Sequence, residues 1–329
     1  MNRTALPFSA LSPDFILHAL DTTGLKTDGR LFALNSYENR VYQVGLDDGS
    51  SVVVKFYRPG RWSDAAILED LAFVQALADD EIPVVPAIRS PAGICLHQIK
   101  DYRFCIFPCQ QGRAPELEGS ETFRWLGRYI GRIHAVGAAG VFKCRPSINV
   151  ETFGDESRRF VLASGFISPD LLPVYADVSS HALQAARACF QRSGKINNIR
   201  LHGDCYPGNI LWTDQGPCFL DFDDSRMGPA MQDLWMLLSG DRTEMSRQLT
   251  YLLEGYRTFR DFNLSELYLI EALRTLRLIY HSAWLARRWN DPAFPRAFPW
   301  FNGDRYWQDR ILELREQIAL MEEMPLQVF

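Results

Sequence analysis

His202, Asp204 and Asn209 stand close together in LHGDCYPGNILW at 201–212, and Asp221 opens a second polar cluster in LDFDDSRMGPAMQDLW at 220–235. Both stretches are set among Leu, Ile, Trp and Phe, which places them half inside the protein. A carboxylate held against apolar walls needs a partner or a task. Asp204 and Asn209 would stand at the two ends of one tight loop, turned by Pro207-Gly208. Ile210 to Trp212, a turn at Asp214-Gln215-Gly216, and Phe219-Leu220 form a small hairpin that returns Asp221 to the side of Asn209. The resulting spacing, H-x-D-x-x-x-x-N followed by D after a hairpin, provides parts that phosphoryl transfer from a nucleotide requires. One carboxylate orients a hydroxyl and takes its proton, while a carboxylate and an amide oxygen suit a divalent cation.

The elements that must position these groups fall into two kinds. Ser12-Pro13-Asp14 predicts a capped helix start with Gly24 as its stop. Asn39 to Val44 and Val52 to Tyr57 read as strands around the Asp48-Gly49 turn. Ser63 caps a helix whose Ile67, Leu71, Val74 and Leu77-Ala78 share a face, ended by Pro83 and Pro86. GICLHQI and YRFCIFP read as a further hairpin, so 25–108 is expected to be β-β-α-β-β, a small antiparallel sheet with one packed helix. The loop-like CQQGRAPELEGS follows as a linker. Beyond it helices dominate: one over ETFRWLGRYIGRIHAVG, with Phe123, Leu126, Ile130 and Ile133 on one face and Gly127 and Gly131 allowing close packing, then others near 169–193, 230–239, 243–260, 265–289 and 304–323. The predicted class is α+β in two lobes, an N-terminal lobe at 1–108 and a helical lobe at 109–329, with the cleft between them as the expected active site.

Composition narrows the choices. The chain has 329 residues, 47% of them hydrophobic, and a formal charge of −5, so a general electrostatic grip on nucleic acid is not expected. Its seven cysteines are odd in number and include no CxxC pair, which argues against a disulfide framework and for a reducing cytoplasm. Cys205, inside the polar loop, is read as structural. The N-terminal stretch lacks a signal-like apolar run and no segment is apolar enough to span a membrane. SGKINN lacks the flanking residues of a P-loop, and GxSxG and GxGxxG are absent.

LHGDCYPGNILW and LDFDD resemble the catalytic and metal-binding motifs of the aminoglycoside phosphotransferase and choline kinase relatives, which share the protein-kinase-like fold. LNSYENRVYQ, VVVKFYRP, RYIGRIHAVG, GPAMQDLWMLLSGD and DPAFPRAFPWF extend the resemblance, in order, to the bacterial stress response kinases, over residues 10 to 325. The resemblance implies Asp204 as catalytic base or hydroxyl-orienting group, Asn209 and Asp221 as Mg2+ ligands, and Lys55 as the lysine that contacts ATP phosphates. It also implies a carboxylate partner for Lys55; Asp70 is favoured and Glu69 stays in play. At the turn NSYENR, Asn35, Ser36 and Asn39 are candidates to approach the phosphates, and Ser36 could itself accept phosphate; ordinary turn formation is the alternative. Adenine is expected against the backbone of Phe107 to Cys109, with walls from Phe104 and Ile210 or Leu211. His202 and Asp233 are implied as architectural supports of the loop. The roles of Asp223 and Asp224 stay open between metal and turn. The other histidines (18, 97, 134, 181 and 281) are read as packing or surface residues. Trp284, Trp289, Phe294, Phe298, Trp300 and Phe301 either line an acceptor site, with Arg287 and Arg288 recognising an acidic substrate, or form core with solvated arginines; the core reading is preferred.

The resulting expectation is an ATP- and Mg2+-dependent serine/threonine protein kinase of a bacterial stress response, cytoplasmic and monomeric, acting on protein substrates without nucleic-acid or membrane partners. Two rivals remain: a small-molecule kinase acting on an amino alcohol, sugar or antibiotic, which calls for acidic residues around the acceptor, and a non-catalytic nucleotide-binding module.

Overall fold

The computed structural model describes residues 7–329; the first six residues of the N-terminal stretch read above lie outside it. The chain forms two compact units. One comprises the residues up to Pro115 together with Ile210–Asp223, and the other Glu116–Asn209 with Asp224–Phe329. The expected boundary at 108 differs from this division chiefly in the hairpin region, which groups with the N-terminal residues.

The first unit opens with α1 (Pro13–Asp21), whose Ser12 side chain accepts from the Phe15 amide at 3.2 Å. Next come β1 (Thr27–Leu34), β2 (Arg40–Leu46), β3 (Ser51–Phe56), α2 (Asp64–Asp79), β4 (His97–Ile99) and β5 (Tyr102–Pro108). The strands make an antiparallel sheet in the order β1-β2-β3-β5-β4. Three strands precede the helix, where 25–108 was expected to supply two. β4 is only three residues long, so Gly93 to Leu96 fall outside the expected hairpin strand.

Alternation of side chains across the sheet decides what each strand offers. Val54, Phe56, Phe104 and Ile106 join Ile16, Ala19 and Leu20 of α1 in one apolar core. Tyr57 and Cys105 lie in another, with Ile67 and Leu71 of α2. Lys55 falls between Val54 and Phe56 and pairs in register with Cys105, so it belongs to the α2 face. The capping of α2 is as expected, with Ser63 accepting from the Ala66 amide.

Within this unit the hairpin of β7 (Ile210–Thr213) and β8 (Gly216–Phe219) is tied to the preceding chain, while β6 (Ile199–Leu201) belongs to the other unit. The Phe219 amide donates to Pro83 O at 2.8 Å, and Arg113 and Trp212 exchange backbone bonds of 3.0 and 2.7 Å. Gly112 lets Leu211 approach; a Cβ there would stand 2.9 Å from Leu211 Cβ. Phe222 then meets Phe73 of α2 edge to face, with ring centroids 6.0 Å apart.

The second unit is mostly helical: α3 (Gly119–Ala138), α4 (Glu156–Ala163), α5 (Leu172–Arg192), α6 (Met231–Trp235), α7 (Arg242–Tyr256), α8 (Ile270–Arg288), α9 (Ala293–Ala297) and α10 (Asp304–Glu322). Its short strand β6 (Ile199–Leu201) pairs with β9 (Arg226–Gly228). Phe123, Leu126, Ile130 and Ile133 of α3 are buried together as their spacing predicts. Gly127 and Gly131 pack directly on α7, where added Cβ atoms would lie 2.0 Å from Leu252 O and 2.7 Å from Tyr256 O. The helix expected over 265–289 begins as a 3-10 turn at Leu264–Leu269, and that near 230–239 is confined to α6. α4, preceded by a π-helical turn at Val150–Asp155, has no counterpart in the sequence reading.

Candidate active site

The predicted functional residues fall in both units, and each set has its own electrostatic logic. In the first unit Lys55 Nζ lies 2.6 Å from Asp221 Oδ1 and 3.7 Å from Asp223 Oδ1. Burial works against the lysine charge, but Asp221, Asp223 and Asp70 outweigh it and raise the ammonium pKa above its ordinary value. Asp70 is thus a buried contributor to the field at Lys55, and Glu69 is only half buried. The direct ion pairs of Lys55 are with the acidic run, a difference from the expected helix carboxylate.

Asp221 and Asp223 are separated by one residue and have different surroundings. The Asp221 side chain is 54% exposed, and its backbone adopts a left-handed φ of 56°. A non-glycine residue in that region stores strain, and such strain is common at working sites. Asp223 is buried, clasped by the Arg61 guanidinium, and accepts from Asn39 Nδ2 at 3.1 Å. Asn39 Oδ1 in turn accepts from the Arg58 amide at 3.1 Å. Asn39 therefore acts as an internal strut, with both ends of its amide engaged inside the protein, and its side chain does not match the expected phosphate-facing role. Ser36 Oγ donates to Asn39 O at 3.3 Å, which is the turn-forming alternative; Asn35 is exposed.

Phe107 and Cys109 are half buried at the end of β5 and just beyond it, and Phe107 packs partly against the Tyr57 and Cys105 cluster. Phe104 is corrected as an adenine wall. It is fully buried on the α1 face of the sheet, stacked on Phe56 at 5.2 Å and on His97 at 5.3 Å, the opposite face from Lys55. Ile210 is buried, and Leu211 remains half exposed beside Gly112.

In the second unit the loop after β6 is held from below. Asp233 of α6 accepts from the His202 amide and the Gly203 amide, both at 2.8 Å. His134 of α3 bonds Asp233 through Nε2 at 3.0 Å and Tyr256 Oη through Nδ1 at 3.0 Å. Burial alone would raise the Asp233 pKa; hydrogen bonding and charge at His134, with the loop amides, hold it below the usual carboxylate range. Asp233 thus ties the loop backbone from below through two amides. Gly203 has φ 85°, and a Cβ there would stand 2.2 Å from Asp224 O, so the loop closes against backbone. His202 is fully buried, with Nδ1 3.3 Å from the Asp204 amide.

Above this support, Asn209 Nδ2 donates to Asp204 O at 3.0 Å and to Asp204 Oδ2 at 3.3 Å. With its nitrogen so engaged, Asn209 offers Oδ1 as its acceptor end. Asp204 Oδ1 forms an ion pair of 2.6 Å with Arg277 of α8. Burial pushes the Asp204 carboxyl above its ordinary pKa, Asp224 adds to the rise, and Arg277 and His202 oppose it. Asp224, left open by the sequence, pairs with Arg226 at 3.1 Å.

Arg277, Arg61 and the anchoring role of His134 were not anticipated. Arg277 follows Asp204 by 73 positions in a helix with no local motif, and His134 is flanked by ordinary core residues. The aromatic stretch behaves largely as core: Phe294 and Phe301 are fully buried, while Trp300 is exposed. Arg287 lies over Phe160 and Arg288 over Trp284. All seven cysteines are free thiols.

Asn209 in the second unit offers an amide oxygen and Asp221 in the first an exposed carboxylate, donor types that hard divalent cations take. Among the described residues no group of three or more His, Cys, Asp or Glu is placed to hold a metal ion. No helix of the described chain is long and apolar enough to cross a membrane.

Residues 31–270 match the model of the phosphotransferase enzyme family, and the chain belongs to that family. Among curated proteins it is 42% identical over 328 residues to stress response kinase A of Escherichia coli strain K12, covering 100% of this chain and 99% of that protein. It is also 42% identical over 329 residues to the serine/threonine protein kinase RdoA of Salmonella typhimurium strain LT2, with the same coverage. Among solved structures, amicoumacin kinase hAmiN in complex with AMP-PNP, Ca2+ and Ami shares the fold with a TM-score of 0.73 at 19% identity, over 96% of this chain and 95% of that one. A microcompartment-associated aminopropanol kinase does so with a TM-score of 0.69 at 19% identity, over 94% and 97%. The architecture is therefore the kinase-like α+β fold expected from the motifs.

Proposed function

We propose that this chain is an ATP- and Mg2+-dependent serine/threonine protein kinase of a bacterial stress response. The observation that carries the reading is the Asp204–Asn209 loop: a carboxylate braced from below by Asp233 and engaged laterally by an amide whose oxygen is left for a cation. The full-length relatives named as stress response and serine/threonine kinases support the choice of acceptor class.

In this reading Asp204 orients the acceptor hydroxyl and takes its proton as the new O–P bond forms. The bond from the γ-phosphorus to the β,γ-bridging oxygen breaks, and ADP leaves. Lys55 steadies the α- and β-phosphates and is kept charged by its carboxylate neighbours. Asn209 and Asp221 would hold Mg2+, which supplies charge neutralisation at the phosphate oxygens when bound. Asn35 and Ser36 approach the phosphates through the backbone of their turn, and Ser36 is the candidate for autophosphorylation. Phe107 and Cys109 meet adenine through backbone groups, with Leu211 as an apolar wall. The free thiols support a reducing, cytoplasmic setting, and we take the protein to act as a monomer without nucleic-acid or membrane partners.

The test is incubation with labelled ATP and Mg2+, with and without casein and a panel of small alcohols. Label on casein or on the chain itself is expected. Label only on a small alcohol would replace the protein-kinase reading, and no label with no ADP formed would end the kinase reading altogether.

A further inference from the structure

Four residues separate Asp204 from Asn209, Cys-Tyr-Pro-Gly, and none is a cation. The positive charge on the catalytic carboxylate comes instead from Arg277 of α8, 2.6 Å away and 39% exposed in its side chain. The neighbouring cations are otherwise committed: Arg226 to Asp224 and Tyr280, and Arg310 to Glu313. Both Asp204 oxygens are engaged, Oδ1 by Arg277 and Oδ2 by Asn209. An acceptor hydroxyl that takes a place on this carboxylate must share it with the guanidinium or displace it. Only one of the five guanidinium N–H directions is spent on Asp204 Oδ1, so the others can meet a group on the acceptor.

We propose that Arg277 selects the acceptor, favouring a hydroxyl on a polypeptide segment with an acidic residue beside it and disfavouring alcohols that carry an ammonium group. This deepens the kinase reading and rests on it. An ammonium beside the hydroxyl would meet a guanidinium that has already neutralised Asp204. A carboxylate there would take over the guanidinium and release Asp204 to the hydroxyl.

The same face of α8 explains why a polypeptide suits it better than a small anion. His281 lies one turn beyond Arg277, and Trp284 follows it. Their rings stack at 5.6 Å, and Trp284 meets Phe298 edge to face at 5.8 Å. Burial, with Arg277 and Arg310 nearby, lowers the His281 pKa to about 4, so this ring is neutral near pH 7. Arg277 thus adjoins a neutral, ring-lined stretch about 10 Å long at 1.5 Å per helical residue, with Arg288 held over Trp284 at its far end.

The experiment compares two twelve-residue peptides, each with one serine flanked either by Glu or by Lys, alongside choline and 1-amino-2-propanol. Transfer is measured with labelled ATP and Mg2+, and peptide binding is measured separately by fluorescence anisotropy without catalysis. The wild type should favour the Glu peptide by about tenfold in both kcat/KM and affinity. R277Q should bring the two peptides close together, R277E should reverse the order, and R277K should restore the original preference. Equal binding of the two peptides by the wild type, an order unchanged in R277E and R277Q, or preferred transfer to either amino alcohol would overturn the proposal. Charge-selective binding without any ATP turnover would instead uphold Arg277 as the selector and count against the kinase reading. Thermal melting of each variant identifies any that fails to fold, and R277Q serves where R277E does.

Discussion

Lys55 and Asp204 are both partly desolvated charges, and the two units treat them differently. Lys55, 11% exposed in its side chain, is surrounded by carboxylates of its own unit, which overcompensate its charge and fix it as an ammonium. Asp204, 22% exposed, has a single cation on a long side chain, and burial still prevails over it. The first arrangement is a permanent anchor. The second is a poised group whose partner can be exchanged, which is what the proposed role of Asp204 toward an acceptor requires.

The sharpest way to break this contrast is D204N. Transfer should fall by about 10²–10⁴-fold, the usual worth of a positioned acid–base group, with little change in the melting temperature. An equal loss of stability and activity would show that Asp204 is an anchor after all. D223A should behave in the opposite way. It strips the buried partner from Arg61 and Asn39 and one partner from Lys55, so urea unfolding should show a loss of about 3–5 kcal/mol. A loss below 1 kcal/mol would remove Asp223 from the structural role assigned to it.

H134A tests the support beneath the loop. It leaves Asp233 and Tyr256 Oη without their shared partner, at a cost of about 1–3 kcal/mol, and the turnover rate should drop further than Asp204-independent binding of nucleotide. The smallest effect concerns Glu266, a buried carboxyl that accepts from the Met231 amide and whose pKa burial raises to about 7. In the folded chain it keeps a proton that the unfolded chain releases above the ordinary glutamate value of 4.5. Stability should therefore fall as pH rises from about 4.5 to 7 and level off above that. E266Q should flatten this part of the melting-temperature profile; an unchanged profile would show that Glu266 is solvated when charged.

Much of the candidate site was legible because its logic is local. Asp204, Pro207-Gly208, Asn209 and the hairpin leading to Asp221 lie within 18 consecutive residues, and turn chemistry constrains them without reference to the rest of the fold. The caps at Ser12 and Ser63 were legible for the same reason. Phe104 was misplaced because its adjacency to Lys55 depends on strand register, and a neighbour one position along a pleated strand points to the opposite face. Asn39 looked like a phosphate contact because a polar turn residue gives no sign of being buried; only Asp223, 184 positions away, reveals its partner.

The sequence by itself determined the loop that carries Asp204 and Asn209, the strand bearing Lys55 and the α+β class, which depend on short-range spacing and periodicity; the family followed from the resemblance of its motifs to known relatives. Tertiary structure alone decided that Arg277 would lie on Asp204, that His134 would brace Asp233, and that Asp223 would be an anchor while Asp221 stayed exposed. These outcomes depend on which helices and strands pack together, and a buried charge finds its partner in space, wherever along the chain that partner happens to lie.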